Sequence, residues 1–315
     1  AVFLDYATMG PELDLSPLRE LFPELVIYDD TTHEQMLDRI RDAEFAFTNK
    51  IRFTEDLLRE AAKLRYIGLT ATGTDNIDLV TAEANGIAVA NIRNYCTQSV
   101  VEHVFGALLM LTHRLPAYQA SVRSGEWQAS GEFCLLAHPV RELSAMTLGI
   151  VGFGELGRGV ARTAEHFGMT VLVAARPGSR TVAQGRVAFA DMLARADVVS
   201  LHCPLTDGTR KLFDAGTFAS MKRGAILINT ARGAIVDSAA LVAALESGRL
   251  GGAAIDVLEI EPPVDGDPLL DYAGDNLVVT PHIAWATDEA RQAAIDQLAA
   301  NAQAFIDGTQ RNRVV

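Results

Sequence analysis

Leu148-Gly149-Ile150-Val151-Gly152-Phe153-Gly154-Glu155-Leu156-Gly157 is the stretch on which the fold turns. A β-branched run, Thr147–Val151, enters a glycine-rich turn, and a helical pattern leaves it and continues to Phe167-Gly168. Strand, Gly-x-Gly-x-x-Gly and helix in that order form a dinucleotide fingerprint, whereas the same glycines elsewhere carry little information. Gly152 permits the tight turn, Gly154 lets the backbone come close to a pyrophosphate, and Gly157 lets the helix pack against the strand. The N–H groups of Glu155 and Leu156, at the positive end of the helix dipole, then face the anion.

About 20 residues further on, an NAD-specific site places an acidic residue against the ribose hydroxyls. The sequence there reads Ala174-Ala175-Arg176-Pro177-Gly178-Ser179-Arg180, without an acid. Arg176, Ser179 and Arg180 supply the charge and donors that a 2′-phosphate requires, since a guanidinium pairs with phosphate oxygens in two-pronged fashion. Solvated loop arginines are the alternative. NADP(H) is therefore favoured as cofactor, with NAD(H) the second choice.

Outward from this motif, short β-branched runs alternate with helical patterns in both directions. Val2–Leu4, Leu25–Tyr28, Glu44–Thr48, Leu64–Leu69 and Ile87–Ala90 read as strands, separated by helices over Asp14–Phe22, His33–Arg41, Thr54–Ala62 and Asp78–Asn85. A long helix is expected over Ser99–Gly125, followed by an irregular segment, Glu126–Ser144. A second set of strands follows at Thr147–Val151, Thr170–Ala174, Asp197–His202, Ala225–Asn229, Gly252–Val257 and Leu277–Thr280, and a last helix at Asp288–Ile306. This order implies parallel sheets with covered faces. The expected architecture is α/β with two domains: a doubly wound Rossmann domain, 100–285, inserted into a flavodoxin-like substrate domain made of 1–99 and 286–315.

The chain has 315 residues, 49% hydrophobic and 21% charged, enough for two cores and too ordered for a disordered chain. Lysine and arginine number 27 against 40 aspartates and glutamates, a balance of −13 that argues against nucleic acid as partner. Cys96, Cys134 and Cys203 have no metal-site spacing and read as buried or half-buried free thiols, with no metal expected. The most apolar helical stretch, Val104–Leu111, is too short for a membrane span. With no leader-like start, these features set the expectation of a cytoplasmic protein.

Three motifs lie at the ends of strands in the second set, the edge where open α/β sheets bind ligands. They are Asn229-Thr230-Ala231-Arg232-Gly233, Asp256-Val257-Leu258-Glu259-Ile260-Glu261-Pro262-Pro263 and Thr280-Pro281-His282-Ile283-Ala284-Trp285. Reducing a 2-keto acid requires a hydride, a proton donor at the carbonyl oxygen and a cation for the carboxylate. His282 suits the donor, Arg232 the carboxylate clamp, and Glu261 a carboxylate that favours the imidazolium. Each alone is an ordinary structural or solvated residue; together at strand ends beside a nucleotide fingerprint they form a catalytic candidate.

These motifs resemble those of the D-isomer-specific 2-hydroxyacid dehydrogenases over the whole chain. Within that family, Trp285 three residues after the histidine and Phe133-Cys134-Leu135-Leu136 ahead of the nucleotide fold are most similar to the glycerate dehydrogenase/hydroxypyruvate reductase group. The resemblance implies reversible reduction of hydroxypyruvate, glyoxylate or a related small 2-keto acid. It implies further that Asp256 accepts a hydrogen bond from the nicotinamide carboxamide, although capping the following turn is an equally reasonable role. Cys203 and Pro204 correspond to the adenine-side wall, Thr209 lies near the phosphates, Thr97 touches the cofactor from a hinge, and Thr230 and Ala231 line the nicotinamide side. Trp285 is carried over as a substrate residue.

The segment Thr70–Asp78 resembles the family's substrate loop, where N–H groups around Thr72 and Gly73 would form a carboxylate nest; a turn ending in a helix cap at Asp78 is the plainer alternative. Asn49 and Lys50, at another strand end, are candidates for the distal hydroxyl. Hinges are expected near Tyr95–Val100 and Ala284–Asp288. Trp127, Phe133, Leu135, Leu136 and Val140 suggest that 126–144 is the arm of a homodimer, against the alternative of a loop packed on its own subunit. A corepressor-like interaction protein on the same fold and a phosphoglycerate dehydrogenase-like enzyme are the competing functions. A formate dehydrogenase is disfavoured by Glu261.

Overall fold

The computed structural model describes residues 1–179 and 181–315, and the chain divides into two compact units. Ala1–Cys96 and Ala286–Val315 form the first, and Thr97–Trp285 the second.

In the first unit, strands β1 (Val2–Phe3), β2 (Val26–Ile27), β3 (Phe45–Thr48), β4 (Tyr66–Leu69) and β5 (Ala88–Ala90) alternate with helices α1 (Ser16–Leu21), α2 (His33–Ile40), α3 (Glu55–Glu60) and α4 (Leu79–Ala84). The strands pair in parallel in the order β2-β1-β3-β4-β5, the flavodoxin-like arrangement. β3 and β4 are buried at every residue, as strands covered on both faces must be. Asp78 caps α4, its carboxylate accepting from Thr81 N at 2.9 Å. One face is covered by the long C-terminal helix of the chain, Asp288–Ile306. Gly68 lets it approach: a Cβ there would stand 2.7 Å from Leu298 and 2.8 Å from Phe47.

The second unit opens with α5 (Thr97–Thr112), α6 (Leu115–Arg123) and α7 (Glu126–Ser130). The single helix expected over Ser99–Gly125 is thus two, broken at His113-Arg114. Pro116 has no N–H to return to the carbonyl of Thr112, and Arg114 turns left-handed at φ +50°. Trp127 lies on α7 and not in an irregular stretch. Strands β6 (Thr147–Val151), β7 (Thr170–Val173), β8 (Val198–Leu201), β9 (Ala225–Asn229), β10 (Leu250–Ile255) and β11 (Leu277–Val279) alternate with α8 (Glu155–His166), α9 (Phe189–Arg195), α10 (Ala215–Ser220) and α11 (Ser238–Glu246), and the Asp288–Ile306 helix follows as α12.

The parallel order is β11-β10-β9-β8-β6-β7. Beyond β7, a single bridge between Ala174 and Val187 stands where a third edge strand of a doubly wound sheet would run. From β6 the chain adds β7 on one side and then crosses to add β8 on the other, which puts the glycine-rich turn at the switch point. β10 starts and ends two residues earlier than the sequence suggests; its register with β9 ends at Ile255↔Asn229, and the Asp256 side chain just beyond serves the loops described below. Among the described residues each sheet packs against an apolar core of its own unit. Among the described residues no helix is long and apolar enough to cross a membrane. Cys96 and Cys203 are half-buried, but Cys134 is exposed, contrary to expectation, because it lies in the run 131–134 that is exposed at every residue.

Candidate functional site

The three glycines at the end of β6 have three different steric reasons. Gly152 adopts φ +93°, and a Cβ on it would lie 2.5 Å from the carbonyl of His202 and from Cys203 N. A Cβ on Gly157 would lie 2.2 Å from the Gly152 carbonyl oxygen, so α8 could not start against the strand. Gly154 faces open space, and the N–H groups of the first turn of α8 follow it. Thr97 Oγ1 reaches Glu155 Oε1 at 3.5 Å.

Beside the turn is a cavity of about 480 Å³ lined by Gly152, Ala175, Arg176, Cys203, Pro204 and Thr209, among others. Its volume suits part of a dinucleotide. Burial pushes the Cys203 thiol pKa up, which keeps it unreactive. Thr209 closes its loop, its hydroxyl donating to Pro204 O at 2.8 Å and accepting from Thr206 N at 2.7 Å. Ser179 donates to Thr181 O at 2.7 Å. Arg180 lies outside the described residues. Arg186, which the sequence reading passed over, also lines the cavity. The available signal was composition, since Ala174–Ala190 holds three arginines and no acid.

At the end of β9, buried Asn229 shapes the turn that carries Arg232: its amide donates to Arg232 O at 2.9 Å and its carbonyl accepts from Ala231 N at 3.0 Å. Arg232 Nη1 donates to Ala231 O at 2.8 Å. Gly233 lets this turn touch the loop after β10, because a Cβ would stand 2.0 Å from the carbonyl carbon of Leu258 and 2.4 Å from Glu259 N. The Thr230 hydroxyl is buried and finds no hydrogen-bond partner among the described residues. A buried unsatisfied hydroxyl is costly, and its usual explanation is a missing ligand or water.

Glu261 holds two groups at once. Oε1 accepts from Leu258 N at 2.8 Å, and Oε2 lies 2.7 Å from His282 Nδ1. His282 sits after β11 in a left-handed conformation, φ +57°, which an L side chain adopts only when its surroundings enforce it. Its N–H donates to Asp256 O at 2.7 Å and Thr280 O at 3.0 Å, and Trp285 Nε1 donates to His282 O at 3.0 Å.

Asp256 supplies the rest of the restraint. Oδ1 accepts from Thr280 Oγ1 at 2.5 Å and Ile283 N at 2.9 Å, and Oδ2 accepts from Ala284 N at 2.9 Å. Its side chain is 1% exposed. Of the two roles open from sequence, the geometry displays the turn-holding one, applied to the histidine loop 24 to 28 residues away. His103 on α5 closes the cluster, Nε2 lying 3.1 Å from Thr280 Oγ1. Among the described residues no group of three or more metal-ligating side chains occurs.

The remaining candidates belong to the first unit. Asp5, buried at the end of β1, accepts from Asn49 N at 2.9 Å and Lys50 N at 2.6 Å, shaping that strand end. Burial raises the Asp5 pKa, and these donors offset part of the rise. Asn49 is itself buried, with its amide donating to Thr8 Oγ1 at 3.1 Å, whereas Lys50 is exposed. Thr72 Oγ1 donates to Ile92 O at 2.9 Å, and Thr72 O accepts from Asn91 Nδ2 at 2.7 Å.

Residues 105–284 match the family model for the D-isomer specific 2-hydroxyacid dehydrogenase, NAD binding domain. A glycerate dehydrogenase of Methylorubrum extorquens is 43% identical over 99% of this chain and 98% of its own. The chain belongs to the D-isomer specific 2-hydroxyacid dehydrogenase family. Its fold is shared with a Thermus thermophilus protein of known structure, at TM-score 0.87 and 32% identity, covering 100% of this chain and 99% of that one. An acyclic imino acid reductase solved with NADPH and D-Arg matches at TM-score 0.86 and 25% identity over 100% and 99%. As a D-2-hydroxyacid dehydrogenase family member the protein is an oxidoreductase with an NAD-binding domain.

Proposed function

We propose that the protein reversibly reduces hydroxypyruvate, glyoxylate or a related small 2-keto acid to the D-2-hydroxy acid, with NADP(H) the favoured cofactor. The observation that carries the reading is the contact of 2.7 Å between Glu261 and His282, with Glu261 itself pinned by Leu258 N. The glycerate dehydrogenase relative supports the substrate class, and the acid-free Ala174–Ala190 segment supports a phosphorylated cofactor.

Gly152, Gly154 and Gly157, the N–H groups of Glu155 and Leu156, and the cavity walls at Arg176, Cys203 and Pro204 would hold the dinucleotide; the open space at Gly154 and the orphaned Thr230 hydroxyl fit such a ligand. When bound, the reduced nicotinamide supplies the hydride for the carbonyl carbon. Ionised Glu261 can only accept, so His282 carries a hydrogen on Nδ1 and leaves Nε2 for the substrate. Protonated Nε2 donates to the carbonyl oxygen as negative charge develops there; neutral Nε2 takes the alcohol proton back in the oxidative direction. Arg232 clamps the substrate carboxylate with paired hydrogen bonds, which a lysine does not reproduce. In the first unit, Lys50 and the Thr72-Gly73 amides are assigned substrate contacts, and buried Asn49 shapes the strand end.

The segment 126–144 is assigned as a homodimer arm, because Phe133 is 95% and Leu136 83% exposed. Steady-state reduction of a panel of 2-keto acids with NADPH and NADH tests the whole reading. His282→Gln is expected to lower kcat by about 10²- to 10⁴-fold while cofactor still binds. Wild-type-like turnover in that variant refutes the proton-donor assignment.

A further inference from the structure

We propose that Arg186 is a cofactor-specificity residue of this enzyme, the rigidly held cation that pairs with the ribose 2′-phosphate, a role that rests on the NADP(H) reading above. Arg186 immediately precedes Val187, the single bridge residue beside β7. Two backbone bonds clamp that bridge to the strand: Val187 N donates to Val173 O at 2.9 Å, and Ala175 N to Val187 O at 2.7 Å. Gly185, at φ +77°, makes the turn that delivers the chain there, closed by Arg186 N donating to Ala183 O at 3.1 Å. The backbone of Arg186 is thereby fixed relative to the end of β7, where the ribose of a nucleotide on this fold is read.

The side chain is equally restrained. Nη1 donates to Ala174 O at 3.0 Å, and the guanidinium carbon lies 5.6 Å from the centre of the Phe153 ring, inside the glycine-rich turn. The group is half-buried and lines the cavity with Ala175, Arg176 and Pro177. A guanidinium has five N–H donors, and one bond to a carbonyl leaves most of them to an anion. Its charge is not spent on a carboxylate, since it makes no ion pair among the described residues. With no acidic partner beside it among the described residues, the guanidinium keeps its charge for an anion entering the cavity. Arg176, by contrast, is exposed at the rim, with more rotamer freedom to lose on binding. The rim arginine gathers the phosphate, and Arg186 sets where it sits.

Calorimetric titration of the whole protein with 2′,5′-ADP and with 5′-AMP separates the 2′-phosphate from the adenosine. Wild type is expected to bind 2′,5′-ADP more tightly. Arg186→Gln should weaken 2′,5′-ADP by about 10- to 100-fold, the range for a charged hydrogen-bonded contact, and leave 5′-AMP within about twofold. Arg186→Lys, which keeps the charge, should recover part of the loss. Equal weakening of both probes by Arg186→Gln assigns the side chain to adenine stacking or to the loop and overturns the inference. So does unchanged discrimination in Arg186→Gln, which leaves the NADP(H) reading standing. A wild type that holds the two probes equally overturns both together.

Discussion

Asp256→Asn tests whether the histidine loop is held by one buried carboxylate. The three donors it accepts approach both oxygens, Thr280 Oγ1 and Ile283 N at Oδ1 and Ala284 N at Oδ2. An asparagine must turn its NH2 toward one of these positions, and the less costly choice faces Ala284 N, donor against donor. That forfeits one charge-assisted bond, about 1.5–3 kcal/mol, and strands a buried N–H, about 1–3 kcal/mol. The bonds that remain weaken from charged to neutral. A destabilisation of about 3 kcal/mol follows, at the upper end of ordinary single substitutions. Function should suffer as well, because the left-handed backbone of His282 costs about 1–3 kcal/mol and persists only while its surroundings enforce it. Released, His282 leaves Glu261 and kcat falls. Urea unfolding gives the first quantity and steady-state reduction the second. Fluorescence of Trp285, whose indole bonds the His282 carbonyl, reports the loop directly. A variant within about 0.5 kcal/mol of wild type and with its kcat would refute the reasoning.

His202 makes a pH prediction. Burial lowers its pKa from 6.5 to about 4, with Nε2 2.8 Å from Ser200 Oγ and Nδ1 without a hydrogen-bond partner among the described residues. Below pH 6.5 the unfolded chain takes up a proton that the folded chain refuses. Stability is therefore lost as pH falls from 6.5 to about 4, by about 1.4 kcal/mol per unit. His202→Gln removes this slope, and denaturant midpoints across that range should show it; an unchanged slope refutes the assignment. Replacing Phe133 and Leu136 together by aspartate should convert the proposed dimer into monomer, read by sedimentation velocity. An unchanged mass would mean that the exposed segment serves another contact.

Local pattern carries much of this molecule. Continuous apolar runs such as Ala225–Asn229 must be covered on both faces, so parallel sheets were legible, and the strand-turn-helix context gave Gly152, Gly154 and Gly157 separate roles. Pattern also misled where a single residue overrides it. The apolar periodicity of 99–125 runs through Pro116, yet the missing N–H splits the helix at Arg114. Other partners leave no local trace at all: the amide of Asn49, a candidate for the distal hydroxyl, donates to Thr8 Oγ1, 41 residues away.

By itself, the sequence determined the alternation that builds two parallel sheets, the glycine turn, and the family to which His282, Glu261 and Arg232 point. Only tertiary structure decided how those groups are held. Asp256 and Ile283 are 27 residues apart, Asn229 fastens Arg232 through its main chain, and Arg186 is brought to the glycine turn by one bridge at Val187. Periodicity encodes which face of an element is buried, because burial repeats with the backbone. It does not encode which distant N–H a buried carboxylate will satisfy, because that partner is chosen by the packing of whole strands.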